Sequence, residues 1–558
     1  MKKKHISLIA LLLVLLSSIF IGYNSLYPSS PNYDDNTKIK VNTQVNHIKE
    51  IAKEPHSIFD NEGHEKVKNY ILDELKKLGV ESKTYKYNDV YVKRTNTKEN
   101  LENIYAEIKG KNDSYIMLVT HYDSSHAKKE RYEEKDGSYG AADAGYGLST
   151  ILDTIRAIKE NNVPLKNGIK ILITDGEEYG LLGAKEAVKE KEIFENVNYL
   201  INLEARGTDG PAIMFETSPN NSKVLDLYSK SDRPFSYSIT PEIYRLLPNS
   251  TDFTVFLDNN ITGINISVLD GMEHYHTPDD NVENINEKSL QHYGDQVLPI
   301  VTEFVTNEKF ATKESLASDN DSIFFILGNV FVKYSKSINY FLLLLILASI
   351  IFLFRKFEIK NIGRVFKYTL LNTLFTAFVM IVSFIITKIA ASINGCNFKM
   401  TYLPLIKHED IIILTVICLS LIGYILLISK FSKKFKEQSE FILGSLILLF
   451  ILSVVITIVL PGASYLFVFP AVLISIFTTI NTLVKNNNIS YILLLPIALI
   501  TILYVPTVYL FNCALTLGAL SVNMFFVMIA IISIVSCIVQ IKGILEYNTK
   551  ENVNLLNI

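Results

Sequence analysis

The chain has 558 residues, 54 Lys and Arg against 57 Asp and Glu, a formal net charge of −3, four cysteines and no tryptophan. That balance, with no basic patch, argues against a nucleic-acid partner, and the length argues against a single small domain. The averages also conceal a split, because residues 30–318 are charged and punctuated whereas 337–541 are dominated by Leu, Ile, Phe, Val and Ser.

In chain order, the N-terminus "MKKKHISLIALLLVLLSSIFIGY" sets three lysines before an uncharged apolar run. This is the pattern of a signal peptide or signal anchor, and the absence of a clear small-x-small cleavage site points to an anchor. Helix periodicity follows at 43–53 and 62–79, the latter closing on Gly79. Apolar β-type runs at 103–109, 114–120, 169–174, 198–203, 212–217 and 261–268 alternate with helix patterns at 147–161, 181–196, 222–231 and 286–307. Strands alternating with helices predict an α/β domain, its mostly parallel central sheet covered by helices on both faces. The charged segment 124–137 reads as a surface loop.

Seven further apolar runs, near 337–354, 368–392, 411–429, 441–460, 464–484, 489–511 and 520–541, predict an all-α membrane domain, since a bilayer-spanning helix needs about 20 residues. The loops 355–367 and 429–440 are rich in Lys and Arg. Both fall inside, together with Lys485, if residues 30–330 lie outside, as the positive-inside rule requires. The expected organisation is a signal anchor over 1–29, an extracytoplasmic domain over 30–318, a membrane domain of about seven helices over 319–545 and a cytoplasmic tail over 546–558. None of the four cysteines lies in the exported domain, so no disulfide staples it; Cys396 and Cys513 both fall in predicted external loops and could pair, with two unpaired thiols the expected state. Nothing in the sequence sets an oligomeric state. The lipid bilayer is the one partner the apolar half demands.

In open parallel sheets, ligands bind beyond the carboxyl ends of the strands. Potential metal ligands gather at those positions here. "IMLVTHYDSS" ends in His121 and Asp123, and the loop after it carries Asp143. "IKILITDGEE" ends in Glu177 and Glu178, "NYLINLEARG" in Glu204, and "EHYHTPDDN" supplies His274 and His276. Imidazole with carboxylate and no sulfur suits Zn²⁺, with Mn²⁺ or Co²⁺ as alternatives. A pair of ions about 3.5–4 Å apart needs a bridging carboxylate and terminal ligands on each. Adjacent glutamates then make sense as one ligand and one unbound general base beside an acidified water. Any one of these residues alone would more often be a helix cap or a solvated acid.

Taken together and in order, these residues, with "IAKEPHSIFDNEGHEKVKNYILDELKKLG" and "NLEARGTDGPAIMFETS", resemble the co-catalytic di-zinc exopeptidases that include aminopeptidase Y, bacterial leucyl aminopeptidase and glutamate carboxypeptidase II. The resemblance covers about residues 43–308 and is strongest to the membrane-embedded branch of endoplasmic reticulum metallopeptidase and vacuolar membrane protease. It implies a zinc-exopeptidase-like fold, two Zn²⁺ per chain and a peptide substrate. His121 and Glu204 would ligate the first zinc, Glu178 and His276 the second, and Asp143 would bridge them. Glu177 would be the general base, and Asp123 would orient the His121 imidazole. The peptide after Asp143 would be cis, and Tyr244 would lie in the pocket. One departure is Ala142, where the family often has an acid. Asp175 reads as a turn former or supporting acid, Arg206 as a partner for a carboxylate, and His56, His64 and His126 as surface or packing residues.

The activity these features imply is that of a membrane-anchored aminopeptidase, in a bacterial plasma membrane with the catalytic domain outside. The alternative is a transporter or receptor carrying a non-catalytic peptidase-like domain. A transporter would place charges within its spans, yet from 441 to 541 the one ionisable Asp, Glu, Lys, Arg or His is Lys485. The filled ligand positions argue against a receptor.

Overall fold

The computed structural model describes residues 2–27, 29–126, 137–400, 403–431, 435–484 and 489–541. Most of the expected loop at 124–137, as well as Lys485 and the expected tail 546–558, lie outside the described residues. Two compact units emerge, Leu26–Ser335 and a second one made of the chain on either side of it.

The elements run α1 (Lys2–Asn24), α2 (Val41–Ile51), α3 (Asn61–Lys77), β1 (Ser82–Val92), β2 (Thr97–Ile108), β3 (Tyr115–His121), α4 (Gly145–Glu160), β4 (Gly168–Thr174), α5 (Leu182–Ala187), α6 (Lys191–Phe194), β5 (Val197–Leu203) and β6 (Ile213–Thr217). They continue with α7 (Ser222–Tyr228), α8 (Ile239–Tyr244), α9 (Asp252–Asp258), β7 (Gly263–Ser267), α10 (Glu287–Thr306), β8 (Ser322–Leu327) and β9 (Val330–Ser335). The apolar half supplies α11 (Ile338–Lys356), α12 (Ile362–Ile393), α13 (Glu409–Phe431), α14 (Phe435–Val459), α15 (Tyr465–Leu483), α16 (Leu494–Leu515) and α17 (Leu520–Ile538).

In the globular unit, seven strands form one sheet in the order β1-β2-β4-β3-β5-β7-β6. The central strands β4, β3, β5 and β7 are parallel. Antiparallel pairings flank them, β2 and β1 on one side and β6 on the other. The sheet is thus mixed, with its parallel part at the middle where the apolar runs are longest. Those runs are nearly unbroken because both faces are covered. Ile116, Leu118, Ile169, Ile171, Ile201 and Leu203 pack with α2, α3, α4 and α10. Met117, Val119, Leu172 and Leu200 face Ala184, Ala187, Ile193, Phe253 and Phe256 from α5, α6 and α9.

Some elements differ from expectation. The helix expected over 181–196 is two short pieces, α5 and α6, separated by a non-helical stretch. Strand β1 was not foreseen, because its exposed edge position leaves only a weak apolar signal. The globular unit also runs past the expected boundary at 318 to Ser335. The β8-β9 hairpin belongs to it because Phe324 enters its core and the Ser238 N–H donates to the Phe324 carbonyl at 2.7 Å.

In the other unit, eight helices among the described residues are long and apolar enough to cross a membrane, the first His5–Asn24 and the last Leu517–Ile538. Many of their buried polar groups are hydroxyls and amides bonded locally or between helices, although the Ser453, Thr457, Ser475 and Ser533 hydroxyls have no hydrogen-bond partner and Glu409 and Glu440 are buried acids. Thr376, Ser383, Thr387, Thr501, Thr507 and Ser536 each donate to the carbonyl four residues back. Asn372 donates to Ser445 Oγ at 3.0 Å and accepts from Tyr424 at 2.8 Å, joining α12, α14 and α13. A cavity of about 1520 Å³ lies among α1, α13, α16 and α17, and among the described residues Asp410 is the one Asp, Glu, Lys, Arg or His lining it. No disulfide links the four cysteines.

Candidate metal centre

The parallel registers align the ends of three neighbouring strands. His121 closes β3 opposite Thr174 at the end of β4. The Val119–Asn202 pairing, continued by two residues, brings Glu204 beside His121. Asp143 arrives from the loop before α4, and its peptide bond to Ala144 is cis, as the resemblance implies. The helix lies close over the strands at Gly147, where an added Cβ would collide with Thr120 Oγ1 and approach Leu203 Cβ to 3.1 Å. Glu177 and Glu178 follow Gly176, whose φ of 70° turns the chain at the end of β4, a conformation open to glycine at no steric cost. His276 comes from the loop after β7 and is held at a φ of 59°.

Two groups of potential ligands result. His121, Asp143 and Glu204 form one, and Asp143, Glu178 and His276 the other; within each group the ligand atoms lie within 4.8 Å of one another. Asp143 is shared. Its Oδ1 is 3.1 Å from His121 Nε2 and its Oδ2 is 3.3 Å from His276 Nε2. Glu204 Oε2 is 3.5 Å from His121 Nε2, and Glu178 Oε1 is 2.8 Å from His276 Nε2. All five side chains are buried, Glu178 the most open at 9 % exposure. The contact between Glu178 Oε1 and His276 Nε2 is short, yet both atoms lack a hydrogen bond. They converge without aligning on one another, as donors to a common cation do. His121 Nδ1 lies 2.9 Å from the Asp123 carbonyl. Donating there leaves Nε2 facing two carboxylates, which needs a cation between them, either a proton or a metal ion. The donor set is nitrogen and oxygen with no sulfur, which fits Zn²⁺, Mn²⁺ or Co²⁺.

Asp123 has a second task beside the one expected of it. Its carboxylate lies 3.5 Å from His121 Nδ1 and also accepts the N–H groups of Glu177 at 3.0 Å and Glu178 at 3.2 Å. The backbone carbonyl holds the imidazole, while the carboxylate holds the turn that presents the two glutamates. Glu177 belongs to neither ligand group. Burial, and then the carboxylates of Glu204 and Glu178, push its pKa well above the ordinary value, with His121 opposing. Burial would lower the His121 pKa, but bonding to Asp123, Asp143 and Glu204 outweighs it and raises that value well above normal.

Other expectations resolve as follows. His274 meets Thr208 Oγ1 at 2.8 Å and joins neither ligand group. Asp175 is a supporting acid that pairs with His64 Nε2 at 2.8 Å, accepts from Tyr122 at 3.1 Å and takes the Glu102 N–H at 2.8 Å. Tyr244 is close enough for Glu216, Glu204 and Glu177 to act on it, after burial, in raising its pKa. Asp280, four residues after His276, carries no ligand pattern in the sequence. It accepts the N–H of Ala142 at 2.7 Å and of Asp143 at 3.3 Å, fixing the loop that carries the shared carboxylate. Burial and the Asp143 charge push Asp280 up to about 7. Tyr275 stacks on the His276 ring with centroids 3.6 Å apart, and Arg94 Nη1 donates to the Glu178 carbonyl at 3.3 Å. Neither had a spacing signal, because each reaches the site only through tertiary folding.

The buried cluster of His, Asp and Glu at the carboxyl ends of the parallel strands is one that could hold divalent cations. Residues 103–301, within the globular unit, match Peptidase family M28. The chain is similar to endoplasmic reticulum metallopeptidase 1 of Homo sapiens, 24% identical over 355 residues that make up 59% of this chain and 38% of that protein. It is also similar to the vacuolar membrane protease of Candida dubliniensis, 27% identical over 317 residues, 53% of this chain and 32% of that one. The match thus spans only about a third of the length of these curated relatives. Among solved structures, a Zn-dependent exopeptidase from Parabacteroides distasonis aligns with 48% of this chain and 99% of its own, at 20% identity and a TM-score of 0.40.

Proposed function

We propose that this chain is a membrane-anchored, zinc-dependent exopeptidase of the aminopeptidase type. The observation that carries the reading is Asp143, which presents one carboxylate oxygen to each of two histidines, 3.1 Å and 3.3 Å away. Two ligand groups joined in this way suit a pair of cations, with Asp143 as the bridge. His121 and Glu204 would complete the first position, and Glu178 and His276 the second. Bound there, the ions supply Lewis acidity, polarising a peptide carbonyl and acidifying a water toward neutral pH.

The chain's own residues do the rest. Glu177 stands beside both groups without belonging to either. Its carboxylate takes a proton from the attacking water and returns it to the leaving amine. With cations held by the neighbouring ligand groups, the Glu177 carboxylate would ionise more readily and could act as a base. Asp123 holds the backbone of Glu177 and Glu178, so base and ligand keep their relative placement. Asp280 does the same for Asp143.

The setting we propose is a bacterial plasma membrane with the globular unit outside. Support comes from the Lys- and Arg-rich loops at 355–367 and 429–440 and from the lack of cysteine in residues 30–318. The test is hydrolysis of a panel of peptides with free and with acetylated amino termini by the detergent-solubilised full chain. Cleavage of the free-amino peptides, abolished by a chelator and restored by zinc, is the expected result. Preference for blocked peptides would overturn the aminopeptidase assignment, and cleavage indifferent to chelator would overturn the metal reading.

A further inference from the structure

Three polar side chains stand in one row across the sheet core. Asn202 on β5 is the register partner of Asn265 on β7, and Asn265 is the register partner of Glu216 on β6. All three are buried, at 0 %, 0 % and 3 % exposure. On the same strands, Leu200, Ile201, Leu203, Ile264 and Ile266 fill the apolar core. Polar residues are rare in such a place unless every partner is arranged, so the row calls for a reason.

Its two amides donate along the row and to acceptors at either end. Asn202 Nδ2 donates to Glu204 Oε1 at 2.9 Å and to Asn265 Oδ1 at 3.1 Å. Asn265 Nδ2 donates to Thr251 Oγ1 at 2.8 Å and to Glu216 Oε2 at 3.3 Å. Acceptors therefore close both ends of the row, and they fix which way each amide faces. Asn202 is kept for its NH₂ group, since its Oδ1 is buried without a partner. The NH₂ group holds one oxygen of Glu204, leaving Oε2 turned toward His121.

We propose that the Asn202–Asn265–Glu216 ladder is a positioning device that sets Glu204 to bind a divalent cation through Oε2 alone. The inference rests on the metal-centre reading above, because it takes Glu204 to be a ligand. The ladder touches only the group of His121, Asp143 and Glu204. Disturbing it should therefore weaken one cation position and spare the one made with Glu178 and His276. Losing a partner that orients a ligand typically costs 10–100-fold in metal affinity.

The experiment is zinc titration of the metal-stripped, detergent-solubilised full chain by equilibrium dialysis, with Glu204→Gln and Glu178→Gln marking the two positions. Asn202→Asp keeps the shape, removes the donor and sets a second carboxylate against Glu204. It should weaken the position marked by Glu204→Gln about 10–100-fold and leave the other within about twofold. Combined with Glu204→Gln it should add little, because both act on one ligand. Glu216→Gln, which keeps an acceptor for Asn265, should bind as the wild type does, whereas Glu216→Met should show the selective weakening. If Asn202→Asp does not fold, the Glu216 pair, two strands away from Glu204, carries the same test. Equal loss at both positions, full additivity with Glu204→Gln, or unchanged affinity in both Asn202→Asp and Glu216→Met would overturn the proposal. A wild-type chain that binds no zinc would overturn the metal reading and the ladder with it.

Discussion

The two units of this molecule bury polar groups in opposite ways. In the apolar unit, hydroxyls bond back to carbonyls one turn earlier, as Ser383 does to Val379 and Thr387 to Ser383, and side-chain amides meet hydroxyls between helices, as Asn372 meets Ser445. In the globular unit, three carboxylates and two imidazoles are driven together at one sheet edge, and some of their atoms have no hydrogen-bond partner at all. The first buries mainly hydroxyls and amides, a few of which, such as those of Ser453 and Ser533, go without a partner at modest cost. The second gathers charged groups that added positive charge would satisfy, which marks it as the candidate site.

The contrast is sharpest at Glu177, which sits among these charges yet is no part of either ligand group. Glu177→Gln should lower kcat by about 10²–10⁴-fold, the usual scale for a general acid–base group, while metal content measured by mass spectrometry stays at the wild-type level. Loss of metal together with activity would instead make Glu177 a ligand.

A second prediction tests buried polarity that is complete without a metal. His292 on α10 accepts the Ala212 N–H at 3.0 Å through Nδ1, and its Nε2 lies 2.8 Å from the Arg233 carbonyl. Burial pushes its pKa down to about 4. The folded state resists a proton that the unfolded chain accepts near pH 6.5. The stabilisation is therefore full above about pH 6.5 and is lost as pH falls toward 4, by roughly 3 kcal/mol in all. Thermal midpoints across this range should fall less steeply in His292→Gln than in the wild type; parallel curves would contradict the assignment.

Gly147→Ala comes next, because the added methyl meets Thr120 Oγ1 and has no room to move. We expect a loss of about 1–3 kcal/mol by overpacking, read as a lowered unfolding midpoint. A drop in activity at temperatures where the protein remains folded should accompany it, since Asp143 lies four residues away. The smallest effect belongs to the apolar unit. Asn372→Leu breaks two interhelical bonds, to Ser445 and from Tyr424, and should cost about 0.6 kcal/mol for each, with no change in the catalytic constants. A large catalytic effect there would show that the two units are not the separate devices described.

The residues of the candidate site were easier to read in the sequence than the supports around them. His121, Glu178 and Glu204 were visible because each ends an apolar run, and strand ends in a parallel sheet share one edge. Asp143 and His276 lie in loops near those ends, and the roles expected of them rest on the resemblance, not on any period. What stayed hidden was support that acts across strands. Asn202 and Asn265 look like ordinary interruptions of apolar runs until the register sets them side by side. The hold of the Asp123 carboxylate on two backbone N–H groups depends on the course of the turn at Gly176, which no spacing rule supplies. Strand β1 and the β8-β9 hairpin escaped because partly exposed pairs carry diluted patterns, and the helix expected over 181–196 failed because its apolar spacing does not reveal the break between α5 and α6.

The most direct test of the central claim is anomalous scattering at the zinc edge from crystals of the zinc-loaded full chain. The account predicts two peaks about 3.5–4 Å apart, on either side of the Asp143 carboxylate, one against His121 and Glu204 and the other against Glu178 and His276. A single peak, or two peaks that do not share Asp143, would contradict it.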